Sequence, residues 1–592
     1  MTLRVSPREL VCGPRDVREG VFALARELDT AGLGEVGMLV EYRLPHAASH
    51  ADVVLAGVDP ETAQPSYVVV EIKSWRRYAA DPDEPELVKS SDLRRLLDPV
   101  VQADQYAAYL ANLTASLRGS DNAVIGMAYL PDARREDVPP SDRLFTGSDA
   151  AELRTFLRSR LAVGPSTAAV DQLLTSATRP LRPLLSLPLN KTDEFVLLDQ
   201  QMAARLAIRH AAELARVSGA QKIIIGVGPS GSGKSTLGLT VLTELCRSDY
   251  TVMHATASAS FTSSLRKTAG SRSSKLQRLF TYFNAFTGAP PSAVDVLICD
   301  EAHRIRESSV NRYTPRAHRT GRSQIDELIN AAKVTVFLLD EEQAVRPGEI
   351  GTLALIEAAA AQQGIPVRRF ELGGQFRAGG NVMYPDWVSR LLELDERGNG
   401  PVKWTGEPEF VVKIADTPTE LEERLVSEVE AGHTARIVAG MCWPWSDAHP
   451  GQPLVDDIVI GDWRKPWSAK GARGVNGLPS AHTWAVDPKG FGQVGMIYNV
   501  QGFEFDWVGV IIGPDLVWRG DHWVANRLAN RDSSLRRISD EAFSAYIRRT
   551  YRVLLTRGRS GVVLYSADPE TRDKLCSLVP PSASEIPSNL GA

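Results

Sequence analysis

The sequence has few cysteines and no long apolar run, and each shortage excludes a class of protein. Its five cysteines are odd in number, far apart and never in a C-x-x-C pair, so neither a disulfide framework nor a zinc site is indicated. No stretch approaches the ~18 consecutive apolar residues of a membrane helix. Met1 to Pro7 leads into no signal-peptide core. We therefore expect a cytoplasmic protein without a membrane segment.

The chain also lacks an excess of positive charge. Its 72 acidic and 67 basic side chains give a formal net charge of −5, which excludes a histone-like protein but allows local basic surfaces. A hydrophobic content of 43% and a charged content of 23% are ordinary for a globular protein. At 592 residues, the chain is long enough for about three or four domains.

A glycine-rich stretch follows a short apolar strand in the middle of the chain. Residues 222–227 read KIIIGV and residues 228–235 read GPSGSGKS, which matches G-x-x-x-x-G-K-[ST] at every fixed position. Glycines let backbone N–H groups point at phosphate oxygens, the lysine adds a positive charge, and Ser235 offers a hydroxyl to Mg²⁺. We predict a nucleotide-binding loop formed by Gly228, Pro229, Ser230, Gly231, Ser232, Gly233, Lys234, Ser235 and Thr236.

A second apolar strand, Val294 to Ile298, leads into residues 299–303, CDEAH. An acidic pair at the carboxyl end of a buried strand is typical of an ATPase site. We expect Asp300 to reach Mg²⁺ through water and Glu301 to polarise the water that attacks the γ-phosphate. Following a complete phosphate-binding loop, this pair predicts ATP hydrolysis rather than nucleotide binding alone.

Four later blocks stand in the order used by superfamily 1 helicases: residues 340–343 (DEEQ), 372–377 (LGGQFR), 499–506 (NVQGFEFD) and 553–559 (VLLTRGR). The chain resembles that superfamily, and within it the bacterial group with a Schlafen-like helicase domain. The resemblance implies an α/β protein with two RecA-like lobes of parallel sheet, ATP and Mg²⁺ as cofactors, and a nucleic-acid partner. DNA is favoured over RNA, single-stranded in the motor channel. A P-loop kinase would leave these blocks unexplained.

In the first lobe, the resemblance assigns roles to four residues. Gln343 would sense the γ-phosphate and couple it to movement, and Arg377 would reach back to the same phosphate. Arg377 taken alone is equally compatible with a surface salt bridge. Either Gln200 or Gln201, upstream of the phosphate-binding loop, would contact the adenine edge, or both would face solvent.

In the second lobe, the resemblance covers the block around Gln501. There the backbone of Gly502 would approach phosphate and Glu504 would bond the ribose. Arg557 fits the arginine that completes the hydrolytic site from across the cleft, with Arg559 as the second choice. Such an arginine stabilises charge that develops on the transferred phosphoryl group.

The first 165 residues predict a small mixed sheet with helices. Apolar spacing and β-branched runs give the order α-β-β-β-α-β. The predicted elements are a helix over 16–31, strands over 37–44, 51–57 and 66–73, a helix from 92 to about 117, and a strand over 123–130.

Three residues of this region resemble the site of the PD-(D/E)XK nucleases. Asp52 opens one strand, and Glu71 and Lys73 end the next with their side chains on one face. The resemblance implies that Asp52 and Glu71 hold Mg²⁺ or Mn²⁺ and that Lys73 positions the attacking water. Glu19 would be a further metal-proximal acid. Gln102 and Tyr106 look like the Q-x-x-x-Y element of the RecB-like branch.

These patterns predict five segments: a nuclease-like domain over 1–165, a linker over 166–192, lobe 1 over 193–395, lobe 2 over 396–575 and a tail over 576–592. The domain pairing is similar to that of nuclease–helicase immunity proteins of antiphage defence. Two alternatives remain open. The N-terminal domain binds nucleic acid with an inactive site, or the whole protein is an ATP-gated nucleic-acid sensor that does not translocate.

Two stretches are candidates for nucleic-acid contact. Residues 251–294 carry five basic and no acidic side chains, and an arginine-rich stretch follows the DEAH block. An arginine-rich solvated loop is an equal interpretation of the second stretch. Thr256 and Ser258 stand where helicases hold the sugar-phosphate backbone. Trp463 and Trp467 are the candidates for stacking on bases. The basic residues concerned are Arg266, Lys267, Arg272, Lys275, Arg278, Arg304, Arg306, Arg312, Arg316, Arg319 and Arg322.

Overall fold

The computed structural model describes most of the chain, and the account below is confined to these residues. They are 15–45, 47, 49–81, 84–89, 95–117, 123–162, 166–175, 197–269, 273–310, 314, 319–373, 383–395, 398, 400–407, 410–449 and 452–579. The chain divides into two compact units. Unit 1 comprises Met1–Arg182, Lys191–Leu214 and Leu372–Gly374, and unit 2 comprises Pro183–Asn190, Ala215–Glu371 and Gln375–Ala592.

Unit 1 is built on a five-stranded mixed sheet in the order β1-β2-β3-β7-β8. The first three strands are antiparallel, whereas β3, β7 and β8 run parallel. Its elements are α1 (Arg15–Thr30), β1 (Gly37–Arg43), β2 (His50–Val58), β3 (Pro65–Ile72), β4 (Ala79–Asp81), β5 (Glu84–Lys89), β6 (Arg95–Leu97), α2 (Pro99–Leu113), β7 (Val124–Leu130), β8 (Leu144–Thr146), α3 (Ala150–Arg160) and α4 (Ser166–Thr175). The helix α5 (Asp199–Ser218) follows.

The two faces of this sheet pack against different helices. Val68 and Val70 of β3 lie in one core with Leu24 of α1 and Leu157 of α3. Because side chains alternate along a strand, Glu71 points to the opposite face, where α2 packs on β3 and β7. The sheet therefore separates an apolar face from the face that carries the acidic residue.

The predicted mixed sheet is confirmed, but the long helix predicted from residue 92 is wrong in its first turns. The chain forms β6 over Arg95–Leu97, which pairs with β5, and α2 begins only at Pro99. Asp98 caps that helix by accepting from the N–H groups of Val100 and Val101. Proline is favoured in a first helical turn because it has no N–H to satisfy. The cap and the proline thus fix the start of α2.

Unit 2 contains two parallel-sheet RecA-like lobes, as predicted. Lobe 1 has a six-stranded sheet in the order β11-β10-β12-β13-β9-β14. Its strands are β9 (Lys222–Val227), β10 (Val252–Thr256), β11 (Phe280–Tyr282), β12 (Val294–Cys299), β13 (Ala332–Leu339) and β14 (Val367–Glu371). Its helices are α6 (Lys234–Arg247), α7 (Ala259–Ala269), α8 (Ser274–Gln277), α9 (Gln324–Asn330) and α10 (Leu353–Gln362).

Lobe 2 has a five-stranded sheet in the order β15-β23-β20-β16-β19, also parallel throughout. Its sheet strands are β15 (Val411–Ile414), β16 (Ala435–Ala439), β19 (Val494–Gly495), β20 (Phe505–Ile512) and β23 (Gly558–Ser566). Two hairpins are added, β17 (Ile458–Ile460) with β18 (Trp463–Lys465) and β21 (Leu516–Arg519) with β22 (His522–Ala525). The remaining helices are α11 (Met383–Leu391), α12 (Pro418–Glu430), α13 (Ile497–Val500), α14 (Asp540–Leu555) and α15 (Pro569–Leu578).

A helix that could cross a membrane is not found in the described part of the chain.

Candidate nucleotide site and N-terminal acidic site

The phosphate-binding loop lies between β9 and α6, at the carboxyl edge of the lobe 1 sheet. Gly231 and Gly233 have φ values of +89° and +75°, a conformation that glycine adopts without steric cost. Lys234 is buried, and its Nζ donates to the carbonyl oxygens of Gly228 at 2.7 Å and Pro229 at 2.8 Å. Ser235 and Thr236 are half-buried in the first turn of α6. The loop thus has the curled backbone that the sequence predicts.

Asp300 and Glu301 follow β12, which lies two strands from β9 in the same sheet. Asp300 is fully buried; its Oδ1 accepts from the Glu301 N–H at 2.9 Å, and its Oδ2 lies 3.3 Å from His254 Nε2. Glu301 has φ = +56°, a strained conformation for a non-glycine residue. Strain of this kind persists where surrounding contacts hold a side chain in a working position.

His303 lies beside the Glu301 carboxylate. The Asp340 N–H donates to His303 Nδ1 at 3.4 Å, which leaves Nε2 as the ring nitrogen that can carry a proton. That Nε2 lies 3.1 Å from Glu301 Oε2. Burial alone would raise the pKa of Glu301, but His303 and the more distant cations Lys234 and Arg557 lower it well below its ordinary value. Glu301 is therefore an ionised carboxylate at neutral pH.

Gln343 joins several elements at the cleft between the two lobes. Its Nε2 donates to Asp340 Oδ2 at 2.8 Å, which ties it to the end of β13. Its backbone oxygen accepts from Gln501 Nε2 at 3.0 Å, and its Oε1 accepts from Arg557 Nη2 at 3.1 Å. Both of these donors belong to lobe 2. Gln343 therefore links the end of β13 to two lobe 2 side chains.

The two candidate arginines, Arg557 and Arg559, make different contacts in the structure. Arg557 is buried and donates from Nη2 to Ser230 Oγ of the phosphate-binding loop at 2.5 Å. Arg559 instead pairs with Asp506 of its own lobe, Nη2 to Oδ1 at 2.5 Å. Arg552 adds an ion pair to Glu342 across the same cleft. Arg557 thus contacts the phosphate-binding loop, whereas the Arg559–Asp506 bond lies within lobe 2.

The other lobe 2 residues surround the start of β20. Gly502 has φ = +87°, and a Cβ there would lie 3.1 Å from the Phe261 ring of lobe 1, so the position requires glycine. Gln501 is fully buried through its bond to Gln343. Glu504 is half-buried immediately before the strand.

The remaining lobe 1 expectations concern the glutamine pair before the phosphate-binding loop and Arg377. Gln200 is exposed in the first turn of α5, whereas Gln201 is buried and accepts from the Leu198 N–H through Oε1 at 3.2 Å. Arg377 lies outside the described residues.

The chemistry of this donor set fits a Mg²⁺–nucleotide complex. Asp300 Oδ2 and Glu301 Oε2 are buried, and the histidine nitrogens beside them, at 3.3 Å and 3.1 Å, do not meet them with hydrogen-bond geometry, so both oxygens can accept from a ligand. The ammonium group of Lys234 and the guanidinium group of Arg557 both lie at the loop whose glycines have the conformation needed for backbone N–H groups to turn toward phosphate. Oxygen acceptors beside cationic donors are what a bound nucleoside triphosphate and its cation need.

The N-terminal acidic site lies where β2 begins and β3 ends. These strands are antiparallel with Val53 opposite Val70, so Asp52, one residue before Val53, comes opposite Glu71, one residue after Val70. Asp52 Oδ2 accepts from the Ile72 N–H at 2.7 Å, and Lys73 Nζ is ion-paired with Glu71 Oε1. The structure thus brings together the three residues that the sequence selects.

The charges of this site are tightly coupled. Burial and the neighbouring Asp52 carboxylate raise the pKa of Glu71 to about 8. Burial also raises the pKa of Asp52, against the opposing effect of Lys73. Burial alone would lower the pKa of Lys73, but Glu71, Asp52 and Asp199 raise it overall. The site holds more acidic than basic groups, so a bound cation would stabilise it electrostatically.

Glu19 does not belong to this group. It is exposed on α1, and α1 packs on the opposite face of the sheet. Within the described ranges, no group of three or more histidine, cysteine or acidic side chains is arranged to hold a metal ion. The Glu71 Oε2 atom is nevertheless buried without a hydrogen-bond partner there, so Asp52 and Glu71 fit two ligands of a hard cation.

Gln102 and Tyr106 lie together on α2, on the acidic face of the sheet. Gln102 Nε2 donates to Tyr106 Oη at 3.0 Å. Tyr106 Oη donates to Asp199 Oδ1 at 2.5 Å, and Ser49 Oγ donates to Asp199 Oδ2 at 2.6 Å. Asp199 was not predicted as part of this site, because its partners lie 93 and 150 residues away in sequence.

Several of the expected nucleic-acid contacts are wrong. Trp463 and Trp467 are buried in the lobe 2 core, and their indole N–H groups bond Glu422 and the Pro444 carbonyl, so neither ring is available for stacking. Arg304 is buried against Glu349 at 3.1 Å. The hydroxyls of Thr256 and Ser258 are buried and accept from local backbone N–H groups.

Other basic side chains remain available at the surface. Arg266 bonds the Phe280 carbonyl inside lobe 1, whereas Lys267 is half exposed, 3.6 Å from Asp487. Arg272, Arg312 and Arg316 lie outside the described residues. Among the described candidates, Lys275, Arg278, Arg306, Arg319 and Arg322 are also exposed.

The fold and the site together define a P-loop ATPase of two RecA-like lobes with an arginine supplied across the cleft. Residues 221–568 match the model of the Schlafen group 3 DNA/RNA helicase domain. The chain therefore belongs to the Schlafen group 3 DNA/RNA helicase family. That assignment rests on 348 of 592 residues, more than half of the chain.

Other known proteins show more distant similarity. An uncharacterized protein of Saccharomyces cerevisiae is 22% identical over 307 residues, which is 48% of this chain and 64% of that protein, so the match covers less than two thirds of the relative. The crystal structure of Pif1 helicase from Candida albicans is similar over 64% of this chain and 96% of that one, at 12% identity and a TM-score of 0.28. AMPPCP-bound DnaA from Aquifex aeolicus is similar over 31% and 51%, at 16% identity and a TM-score of 0.18.

Proposed function

We propose that this helicase-family protein hydrolyses ATP to move single-stranded nucleic acid, DNA in preference to RNA, and delivers it to a metal-dependent nuclease site in the N-terminal unit. The motor part rests on one observation above the others. Arg557 of lobe 2 contacts both Ser230 of the phosphate-binding loop and Gln343 of lobe 1. A contact of this kind makes hydrolysis depend on closure of the lobes.

The residues of the cleft divide the work of hydrolysis. Lys234 would exchange its two carbonyl partners for phosphate oxygens when ATP enters. Glu301, kept ionised and oriented by His303, would accept a proton from the attacking water. Arg557 would stabilise the charge that develops on the phosphoryl group. Mg²⁺, held through Ser235 and Asp300, would neutralise phosphate charge.

Gln343 would pass the state of the phosphates to lobe 2. When Arg557 turns toward a γ-phosphate, its bond to Gln343 Oε1 must change, and Gln501 is bonded to the same residue. In this proposal Gly502 and Glu504 contact the nucleotide from lobe 2, Gln200 or Gln201 contacts the adenine, and Arg377 reaches the γ-phosphate. The segment boundaries at 165, 192, 395 and 575 belong to the same proposal.

The nuclease part rests on the juxtaposition of Asp52, Glu71 and Lys73. A divalent cation at Asp52 and Glu71 would activate a water molecule for attack on a phosphodiester. Lys73 would then be released from Glu71 to orient that water. Pairing of a nuclease with a motor suits destruction of foreign nucleic acid, and we propose antiphage defence as the setting.

A second candidate is an ATP-gated nucleic-acid sensor with an inactive N-terminal site. The Lys73–Glu71 ion pair and the missing three-ligand metal group among the described residues favour it. Cleavage of single- and double-stranded DNA and RNA with Mg²⁺ or Mn²⁺ separates the two proposals. The nuclease proposal requires cleavage that Asp52→Ala and Lys73→Ala abolish. Strand displacement by the Asp52→Ala protein then tests the motor alone, with Lys234→Ala as the inactive control.

A further inference from the structure

The Asp199 carboxylate sits among hydroxyl and amide donors at the acidic face of the N-terminal sheet. Ser49 Oγ donates to Oδ2 at 2.6 Å, while Tyr106 Oη at 2.5 Å and Gln102 Nε2 at 3.3 Å donate to Oδ1. Three neutral donors from β1–β2 and α2 thus converge on one anion. Tyr106 is 3% exposed, so its hydroxyl bond is made in a largely water-free place, where such bonds are strong.

The position of Asp199 is costly in two respects. Its φ of +45° lies in the left-handed region, which a non-glycine residue occupies only when its contacts compensate. Its negative charge also acts on Glu71, which already shares its surroundings with Asp52. Three carboxylates thus share one lysine, Lys73. The neighbouring acidic side chains disfavour a further carboxylate at this position. The three hydrogen-bond donors stabilise it.

We propose that the Ser49–Gln102–Tyr106 cluster is a binding site for a phosphodiester of a nucleic-acid strand, and that Asp199 occupies this site as an internal substitute. A phosphodiester offers the same kind of anionic oxygen acceptors as a carboxylate. A strand can therefore bind only when Asp199 withdraws. The inference rests on the proposed nucleic-acid-processing function of unit 1 but does not require that the site cleaves.

The test uses the full-length protein and ultraviolet crosslinking to a single-stranded DNA oligonucleotide, quantified by mass spectrometry. The signal is the yield on the tryptic peptide that carries Gln102 and Tyr106, divided by the total yield on lobe 1 and lobe 2 peptides. We expect Asp199→Ala to raise this ratio about tenfold. Without the Asp199 carboxylate, Ser49, Gln102 and Tyr106 can donate to the charged oxygens of a phosphodiester instead. Adding Ser49→Ala and Gln102→Ala to Asp199→Ala should return the ratio to the wild-type value.

Two controls define the ligand and the residue. A methylphosphonate oligonucleotide of the same sequence, whose backbone is uncharged, should show no rise. Asp142→Ala, at a side chain that is 94% exposed in the same unit, should leave the ratio at the wild-type value. Thermal melting of each variant verifies that the unit is folded.

An unchanged ratio for Asp199→Ala, or a rise that Ser49→Ala and Gln102→Ala do not reverse, would overturn the inference. Failure of the proposed function gives a different result. If the protein cleaves no nucleic acid but Asp199→Ala still raises the ratio, the nuclease proposal is wrong and the binding-site inference stands. Crosslinks that are absent from every peptide overturn both.

Discussion

Arg557 Nη2 lies 3.1 Å from Gln343 Oε1, although the two residues are 214 positions apart and belong to different lobes. The same nitrogen contacts Ser230 in the phosphate-binding loop. One guanidinium group therefore touches the loop that would hold the phosphates and the glutamine that would report on them. The proposed coupling between hydrolysis and lobe movement depends on this arrangement.

We predict that Arg557→Ala lowers kcat for ATP about 10³-fold, the smaller end of the effect of an arginine that stabilises phosphoryl transfer. Arg559→Ala should retain most of the activity, because Arg559 is paired with Asp506 in its own lobe. Steady-state ATPase assays with single-stranded DNA make the comparison. Equal losses in the two variants would contradict the assignment of Arg557.

We predict that His303→Ala lowers kcat with little change in KM. Without the contact of Nε2 to Glu301, the carboxylate can turn away from the attacking water. Misplacing a reacting group by about 1 Å costs up to roughly 100-fold in rate. His522→Ala, at an exposed ring, is the matched control. A rise in KM with unchanged kcat would show that His303 acts on nucleotide binding instead.

We predict that divalent cation binding to the N-terminal site strengthens as pH rises toward about 8, the pKa of Glu71. Below that pH the Glu71 carboxyl is protonated, and a cation must displace the proton. Titration calorimetry with Mn²⁺ at pH 6.5 and pH 8.5 tests this, in an Asp300→Asn background that removes the motor's ligand. Glu71→Gln should abolish the pH dependence. Affinity that is equal at both pH values would contradict it.

The same pKa predicts how stability changes with pH. A pKa raised from 4.5 to about 8 means that the folded state binds the proton more tightly than the unfolded state. This contribution is fully present below pH 4.5 and is lost as pH rises through about 8. The midpoint of thermal unfolding of unit 1 should therefore fall less over that range in Glu71→Gln than in the wild type. Parallel curves for the two proteins would be the contrary result.

We predict that Gly502→Ala destabilises unit 2 by about 1–2 kcal/mol, the cost of a left-handed conformation for a residue with a Cβ. Contact with the Phe261 ring at 3.1 Å adds to this cost. Gly492→Ala is the control, because its Cβ would meet no atom within 4 Å and its φ is not positive. The free energy of unfolding comes from chemical denaturation. Equal stability of the two variants would argue against strain at Gly502.

The sequence alone predicts those features that depend on residues close together along the chain. The phosphate-binding loop and the acidic pair each follow a buried strand, and the structure has both at the carboxyl edge of one sheet. Asp52, Glu71 and Lys73 meet because β2 begins beside the end of its antiparallel neighbour β3. Local pattern and strand pairing carry this information.

What the sequence could not provide depends on contacts between distant segments. Nothing near Asp199 indicates Ser49 or Tyr106, and the choice between Arg557 and Arg559 is made by Ser230, more than 300 residues away. Trp463 and Trp467 stand in a polar stretch that looks exposed, yet their rings fill the lobe 2 core. The start of α2 is an exception, because the Asp98–Pro99 cap is a local signal that the prediction of a helix from residue 92 does not take into account.

The most direct measurement is the ATPase rate of the full-length protein and of Glu301→Gln, each with and without single-stranded DNA or RNA. We predict that nucleic acid stimulates the wild-type rate. Glu301→Gln should bind ATP but lose at least about 100-fold in kcat, because the general base is removed. Glu307→Gln, at an exposed side chain, is the matched control. A Glu301→Gln protein that hydrolyses ATP at the wild-type rate would contradict the account.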